Sequence, residues 1–260
     1  MANFKLTIEY NGENFSGSQS QTGKRTVQEE LEKALNIYFH NTLGEMISSN
    51  FSSRTDAGVH AIGQVLNFKL SDEIYKDHVD LILAKPDKFL IGLNGILAKD
   101  IAVVKIEAVD EAFNARFSAQ GREYMYKIFT RKHRPVLRLD SLIWVKESLD
   151  YDAMQAHAAK FIGTHNFSAY YRQEKYLKNP ICTVTRSELI QESSLCFKYH
   201  IKADRFLRHM VRRIVGELIE IGKLAAQGKD TSLIEPKFDG ELYSYKVAKA
   251  SGLTLVKVYY

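Results

Sequence analysis

The chain has 260 residues and a net charge of +5, with an isoelectric point near 9.0. That length supports a large buried core and points to two domains or one bilobal unit, and the basic balance favours a polyanionic partner. Two cysteines, Cys182 and Cys196, are too few for a disulfide scaffold, and no His/Cys spacing suggests a zinc site. The opening MANFKLTIEYNG carries no signal-type apolar run, and no stretch approaches the roughly eighteen apolar residues of a membrane span. The expectation is a soluble, cytoplasmic protein with no membrane partner and no metal.

Phe4 to Tyr10 alternates apolar and polar residues and stops at Asn11-Gly12, which predicts a strand ending in a turn. Thr26 and Glu29 have capping-box spacing. Val27, Leu31, Ala34, Leu35 and Tyr38 follow at helical intervals, predicting a helix over 26–39. Strands are predicted near 46–52, 64–70, 101–109 and 121–130, with helix and loop connecting them across 71–88. The pattern restarts near residue 150. A helix is expected from Asp150, strands at 181–191 and 195–203, a long helix from Phe206, and a last strand at Leu253–Tyr259. Helices mixed with hairpin-linked strands in both halves predict an α+β fold with antiparallel sheets. The halves are placed at 1–135 and 136–260, with 131–150 as the hinge.

One run carries more chemistry than the rest. Ser52-Ser53-Arg54-Thr55-Asp56-Ala57-Gly58-Val59-His60-Ala61 places a carboxylate two residues after a guanidinium, in a segment too rich in small residues for regular structure. Gly58 allows a sharp turn that presents Asp56 outward. The run closely resembles the catalytic loop of the TruA-type tRNA pseudouridine synthases, whose RTDAGVHA signature carries a single essential Asp. Further segments match that family in order: Arg25 to Leu31, Phe113 to Ala119, the R-x-Y-x-Y element Arg122 to Tyr126, Gly163 to Ser168, Phe206 to Gly216 and Gly252 to Tyr260. The resemblance therefore spans nearly the whole chain.

The resemblance implies a pseudouridine synthase fold, two α+β halves flanking a basic catalytic cleft. It also implies a tRNA substrate modified at uridines on the 3′ side of the anticodon loop and stem, and a homodimer in which one tRNA touches both subunits. The reaction breaks the N1–C1′ bond of uridine, turns the uracil and rejoins it through C5. Atoms are neither gained nor lost, so the chemistry requires no cofactor and no metal. By resemblance Asp56 is the catalytic carboxylate, acting as nucleophile or base. Burial alone would raise its pKa, so it needs a cationic partner, and the family motif H-M-V-R supplies it as Arg212. Leu207, Met210, Val211, Ile214, Leu218 and Ile221 form one apolar helical face, and Arg208 and Arg212, four apart, are expected to project together from another. Tyr124 takes the place under the flipped uracil, whereas Tyr126, on the same strand face, is expected in the core. Leu253 either walls the base pocket or packs in the core. Arg54 is the expected wedge that fills the vacancy left by a flipped base. Arg122 and Arg208 are candidate substrate contacts, and Lys127, Arg131, Lys132, Arg134, Arg138, Arg205 and Arg213 are available to phosphates.

The chain departs from the family pattern at several positions. The usual G-W-Q-x-Q reads Gly17-Ser18-Gln19-Ser20-Gln21, Asn114 stands where His is common, Arg213 where Asn is common, and Ala98-Lys99 where Pro-Glu is frequent. The missing aromatic at position 18 raises the alternative of a divergent paralogue acting on another RNA uridine. A second alternative is an RNA-binding or chaperone protein without activity. A phosphate-binding loop at SQSQTGKRT is excluded, because position 18 is Ser where Gly is required and position 25 is Arg where Ser or Thr is required.

Overall fold

A computed structural model describes residues 1–40, 47–71, 74–136, 141–172, 179–239 and 246–260. The chain forms two compact units, residues 1–119 with 255–260, and residues 120–254. The 135/136 position read from the sequence lies inside the second unit. The reason is register: the strand over 121–130 pairs with the strand over 196–203 and stays with it. Residue 46 of the predicted strand, residues 72 and 73, and Arg138 lie outside the described residues.

In the first unit, Ala2–Tyr10 forms β1, and its alternation buries Phe4, Leu6, Ile8 and Tyr10 on one face. A short 3-10 turn at Gly12–Asn14 follows. The helix α1, Val27–Tyr38, starts where the sequence signals it, with the Thr26 hydroxyl accepting from the Glu29 amide at 3.3 Å. Next come β2 (Ser49–Phe51), β3 (His60–Leu70), α2 (Lys76–Ala84), α3 (Pro86–Ile96) and β4 (Ile101–Val109). Pro86 occupies the first turn of α3, where its missing N–H costs nothing. β1 pairs antiparallel with both β3 and β4, and β2 pairs with β3. Helices and sheet share an aromatic core. Phe39 packs at 6.1 Å from Phe68 and 6.0 Å from Phe89, and Phe4 at 5.7 Å from Phe68.

The second unit contains β5 (Gly121–Thr130), β6 (Ile143–Val145), α4 (Tyr151–Ala159), β7 (Gly163–Asn166), β8 (Ile181–Ser193), β9 (Cys196–Ala203) and α5 (Met210–Ala226). The antiparallel order is β5-β9-β8-β7, and β6, inside the stretch expected to be a hinge, instead joins β5 in parallel. The last strand, β10 (Leu253–Tyr259), begins at the end of this unit; from Leu255 it belongs to the first, beside β3. Both units mix helices with antiparallel pairs, and the protein is α+β.

The helix α5 begins at Met210, four residues later than the sequence predicts. His209 adopts φ 66°, a left-handed conformation that a right-handed helix cannot contain. Arg208 therefore lies in the turn before the helix, and the expected joint projection of Arg208 and Arg212 from one helical face does not hold. The apolar face itself is buried as read, from Leu207 through Ile221. No helix among the described residues is long and apolar enough to cross a membrane.

The interior of the second unit holds a polar network. Glu217 on α5 is fully buried, its Oε1 is 2.7 Å from Nε2 of His157 on α4, and its Oε2 accepts from the Tyr170 hydroxyl at 2.7 Å. A buried carboxyl group left short of a partner is costly, so three elements are locked together through one side chain. Tyr170→Phe removes one donor from that carboxyl group without changing the packed volume. It is expected to lower stability by about 1–3 kcal/mol, read as a shift in the denaturant midpoint with an unchanged slope.

Candidate active site

The segment between β2 and β3 has no ladder of its own, and its shape comes from bonds to its neighbours. Ser52 donates its N–H to the Val65 carbonyl at 2.8 Å and its hydroxyl to Gln64 Oε1 at 2.8 Å, and Gln64 Nε2 donates to the Ser53 carbonyl at 2.9 Å. Thr55 is held from two sides. Its N–H donates to the Ser18 hydroxyl at 2.8 Å, its carbonyl accepts from the Ser18 N–H at 3.1 Å, and its hydroxyl is 2.7 Å from that of Tyr10. After it the chain turns: the Val59 N–H donates to the Asp56 carbonyl at 3.1 Å, and Gly58 sits at φ 79°, where a side chain would strain the backbone. Asp56 is half-buried in this loop and Arg54 is exposed.

The opposing wall of the loop is the stretch after β1. Gly17, at φ 104°, lies so near that a Cβ there would sit 2.9 Å from the Thr55 carbonyl oxygen, and it permits the close approach. Arg25 fixes the far end of that stretch. Its guanidinium forms a two-pronged contact with Asp100 at 2.7 and 2.9 Å and lies over the Phe15 ring at 4.3 Å. Hydrogen bonding from Arg25 holds the Asp100 carboxyl below the usual carboxylate range.

In the second unit, Arg212 stands in the first turn of α5, half-buried. Its Nε donates to the Ala248 carbonyl at 2.8 Å and its own carbonyl accepts from the Ala248 N–H at 3.0 Å, which fixes the direction of the guanidinium. Tyr124 on β5 is buried, its ring edge-on to Phe206 at 5.2 Å. Tyr126 is core, fully buried with its hydroxyl donating to the Lys249 carbonyl at 2.7 Å. Burial pushes its phenol upward, partly offset by the charge of Arg212. Leu253 is buried at the start of β10. Arg122 donates to the Asp204 carbonyl at 3.1 Å. Among the phosphate candidates, Arg131 is bonded to the carbonyls of His133 and Arg134 in its own loop, and Arg205 to the Asn179 carbonyl. Lys132, Arg134 and Arg208 are exposed. Burial lowers the pKa of Arg213, with Arg172 adding like-charge repulsion. Among the described residues no group of three His, Cys, Asp or Glu side chains is placed to hold a metal ion.

The family model for tRNA pseudouridine synthase matches residues 6–118 and 157–260. The chain belongs to the tRNA pseudouridine synthase family. It is accordingly an isomerase of the tRNA-modifying class. The tRNA pseudouridine synthase A of Acetivibrio thermocellus is 37% identical over 262 residues, that of Clostridium kluyveri 34% over 269, and that of Dictyoglomus thermophilum 37% over 260. Each comparison covers 100% of both chains. The family match takes in Arg54, Asp56, Arg208, Arg212 and Leu253, while Arg122 and Tyr124 lie between its two matched spans.

Tyr10 and Ser18 hold the Asp56 loop without being marked as such by the sequence. Tyr10 read as the apolar end of a strand, and Ser18 registered only as a missing aromatic. A hydroxyl at the buried end of a strand was the available signal, since buried phenols need partners. Burial raises the Tyr10 pKa to about 12 from 10.0. Between these two values the unfolded chain releases a proton that the folded chain keeps. Stability from this group is therefore intact below pH 10 and declines as the pH rises towards 12. The thermal midpoint is expected to fall across that window, and less steeply in Tyr10→Phe, when both are followed by circular dichroism.

Proposed function

We propose that this protein isomerises uridine to pseudouridine on the 3′ side of the anticodon loop and stem of tRNA, with Asp56 as the catalytic carboxylate. The observation that carries the reading is a half-buried carboxylate on a loop whose preceding residue is tied down through its N–H, its carbonyl and its hydroxyl, in a chain of this family. The reaction breaks N1–C1′ and forms C5–C1′. The hydrogen on C5 leaves, and a proton ends on N1. An ionised carboxylate can serve as nucleophile or as base in that sequence. Arg212, its Nε committed to Ala248, is assigned the compensating cation, and Tyr124 the flat ring for the base. Arg122, Arg208 and Leu253 complete the substrate contacts, Lys132 and Arg134 hold phosphates, and the working form is a homodimer.

Asp56→Asn keeps the side-chain shape and removes the charge. Isomerisation is expected to disappear while tRNA affinity changes little, measured as tritium release from 5-tritiated tRNA alongside filter binding. Turnover by the Asn variant, with deamidation excluded by mass spectrometry, would sink the assignment. Mapping pseudouridine in cellular tRNA with and without the gene tests the anticodon-arm position and separates this reading from a paralogue with another target.

Arg54 is assigned the wedge. A target uridine in a stacked arm costs a few kcal/mol to flip, and less when the stack is already broken. Arg54→Ala is expected to depress kcat on intact tRNA more than on a loop-destabilised variant. Equal losses on both substrates would assign Arg54 to shaping the loop instead.

A further inference from the structure

Ser18 is almost wholly buried, at 1% exposure, so it presents nothing to an RNA surface. Its polar atoms point inward to the loop before Asp56. The Ser18 hydroxyl accepts from the Thr55 N–H at 2.8 Å and lies 3.4 Å from the Ser53 carbonyl, and the Ser18 N–H donates to the Thr55 carbonyl at 3.1 Å. Its own carbonyl accepts from the Gln28 N–H at 3.0 Å, next to the Gly17 carbonyl, which accepts from Val27 at 3.2 Å. Ser18 thus links the first turn of α1 to the residue preceding Asp56. From the other side the Tyr10 hydroxyl, at the end of β1, holds the Thr55 hydroxyl at 2.7 Å. The N–H, carbonyl and hydroxyl of Thr55 each have a partner in Ser18 or Tyr10, so its dihedrals are fixed by two rigid elements.

Resting on the reading of Asp56 as the catalytic carboxylate, we infer that Ser18 and Tyr10 are positioning residues for Asp56, acting through Thr55. A catalytic group held by its backbone loses rate steeply with small displacements, because the reacting atoms must meet within a narrow range of distance and angle. Binding of the tRNA backbone is assigned to Arg208, Lys132 and Arg134, which lie outside this clamp. Both side chains are buried, Ser18 at 1% and Tyr10 at 4% exposure, away from a surface that RNA could reach. Among the kinetic constants, the effect of removing either hydroxyl is therefore expected in kcat.

The test measures kcat, KM and the thermal midpoint for Ser18→Ala, Tyr10→Phe and Asp56→Asn on the same tRNA transcript, well below the lowest midpoint. Ser18→Ala and Tyr10→Phe are each expected to lose about 10- to 100-fold in kcat with KM within about twofold, a split that a general loss of folded protein does not produce, because active-site titration with 5-fluorouridine tRNA corrects for the folded fraction. Faster hydrogen exchange at the Thr55 amide in Ser18→Ala is the accompanying structural signature. Parental kcat in Ser18→Ala, with Asp56→Asn inactive, would overturn the inference and leave the assignment of Asp56 standing. An active Asp56→Asn would overturn the assignment itself. Where Ser18→Ala fails to fold, Tyr10→Phe decides: parental kcat there overturns the inference, and a loss in kcat alone supports it.

Discussion

Backbone polar groups in a segment without helix or strand must be satisfied by neighbouring elements, and this requirement organises the first unit. The loop bearing Asp56 contributes a turn bond of its own, from Val59 to Asp56, and is held further by Ser18, Tyr10 and Gln64. Those three residues come from the stretch after β1, from β1 and from β3. The stretch after β1 is in turn pinned by Arg25 to Asp100 and by the cap of α1. Loop geometry is therefore as stiff as the sheet and helix to which it is bonded, although its residues are small and include a glycine at positive φ.

The second unit also uses main chain to hold side chains, at the start of α5. A helix has four N–H groups without internal partners at its N-terminus, and α5 begins abruptly after the left-handed His209 with no side-chain cap. The neighbouring strand of chain around Ala248 and Lys249 runs against this end, receiving the Arg212 Nε and the Tyr126 hydroxyl on successive carbonyls. A half-buried guanidinium is thus oriented by a main-chain carbonyl. Further along the same helix, Glu217 sits in a bonded network with His157 and Tyr170, keeping α5 in register with α4.

Much of the fold was legible because the signals were local. The strands β4, β5 and β10 follow runs whose alternation stops at clear breaks, and α1 follows a cap, a first-turn acid and a helical apolar stripe. α3 is not legible beyond residue 88, because Gly92 and Gly95 weaken its helical pattern and packing of Phe89 and Leu93 restores it. β6 carries three strand residues, too few for periodicity, and exists through pairing with β5. The sequence places the start of α5 too early because Phe206, Leu207, Met210 and Val211 have helical spacing, and nothing local announces the positive φ at His209. Among the candidate site residues, one motif singles out Arg54 and Asp56 and a second Arg212, all of distinctive residue type. Ser18 and Tyr10 were not legible because their role depends on partners 37 and 45 residues away in the chain.

The discontinuity of the first unit has a consequence for biosynthesis. Residues 1–119 cannot reach their final arrangement until residues 255–260 arrive to lie beside β3, and the entire second unit is translated in between. A nascent chain emerging from the ribosome therefore holds an open sheet edge through the making of more than a hundred residues, a stretch of time in which unpaired strand edges invite association with other chains. Vectorial synthesis favours folding of the second unit as a contiguous piece, and closure of the first waits until that piece has been made.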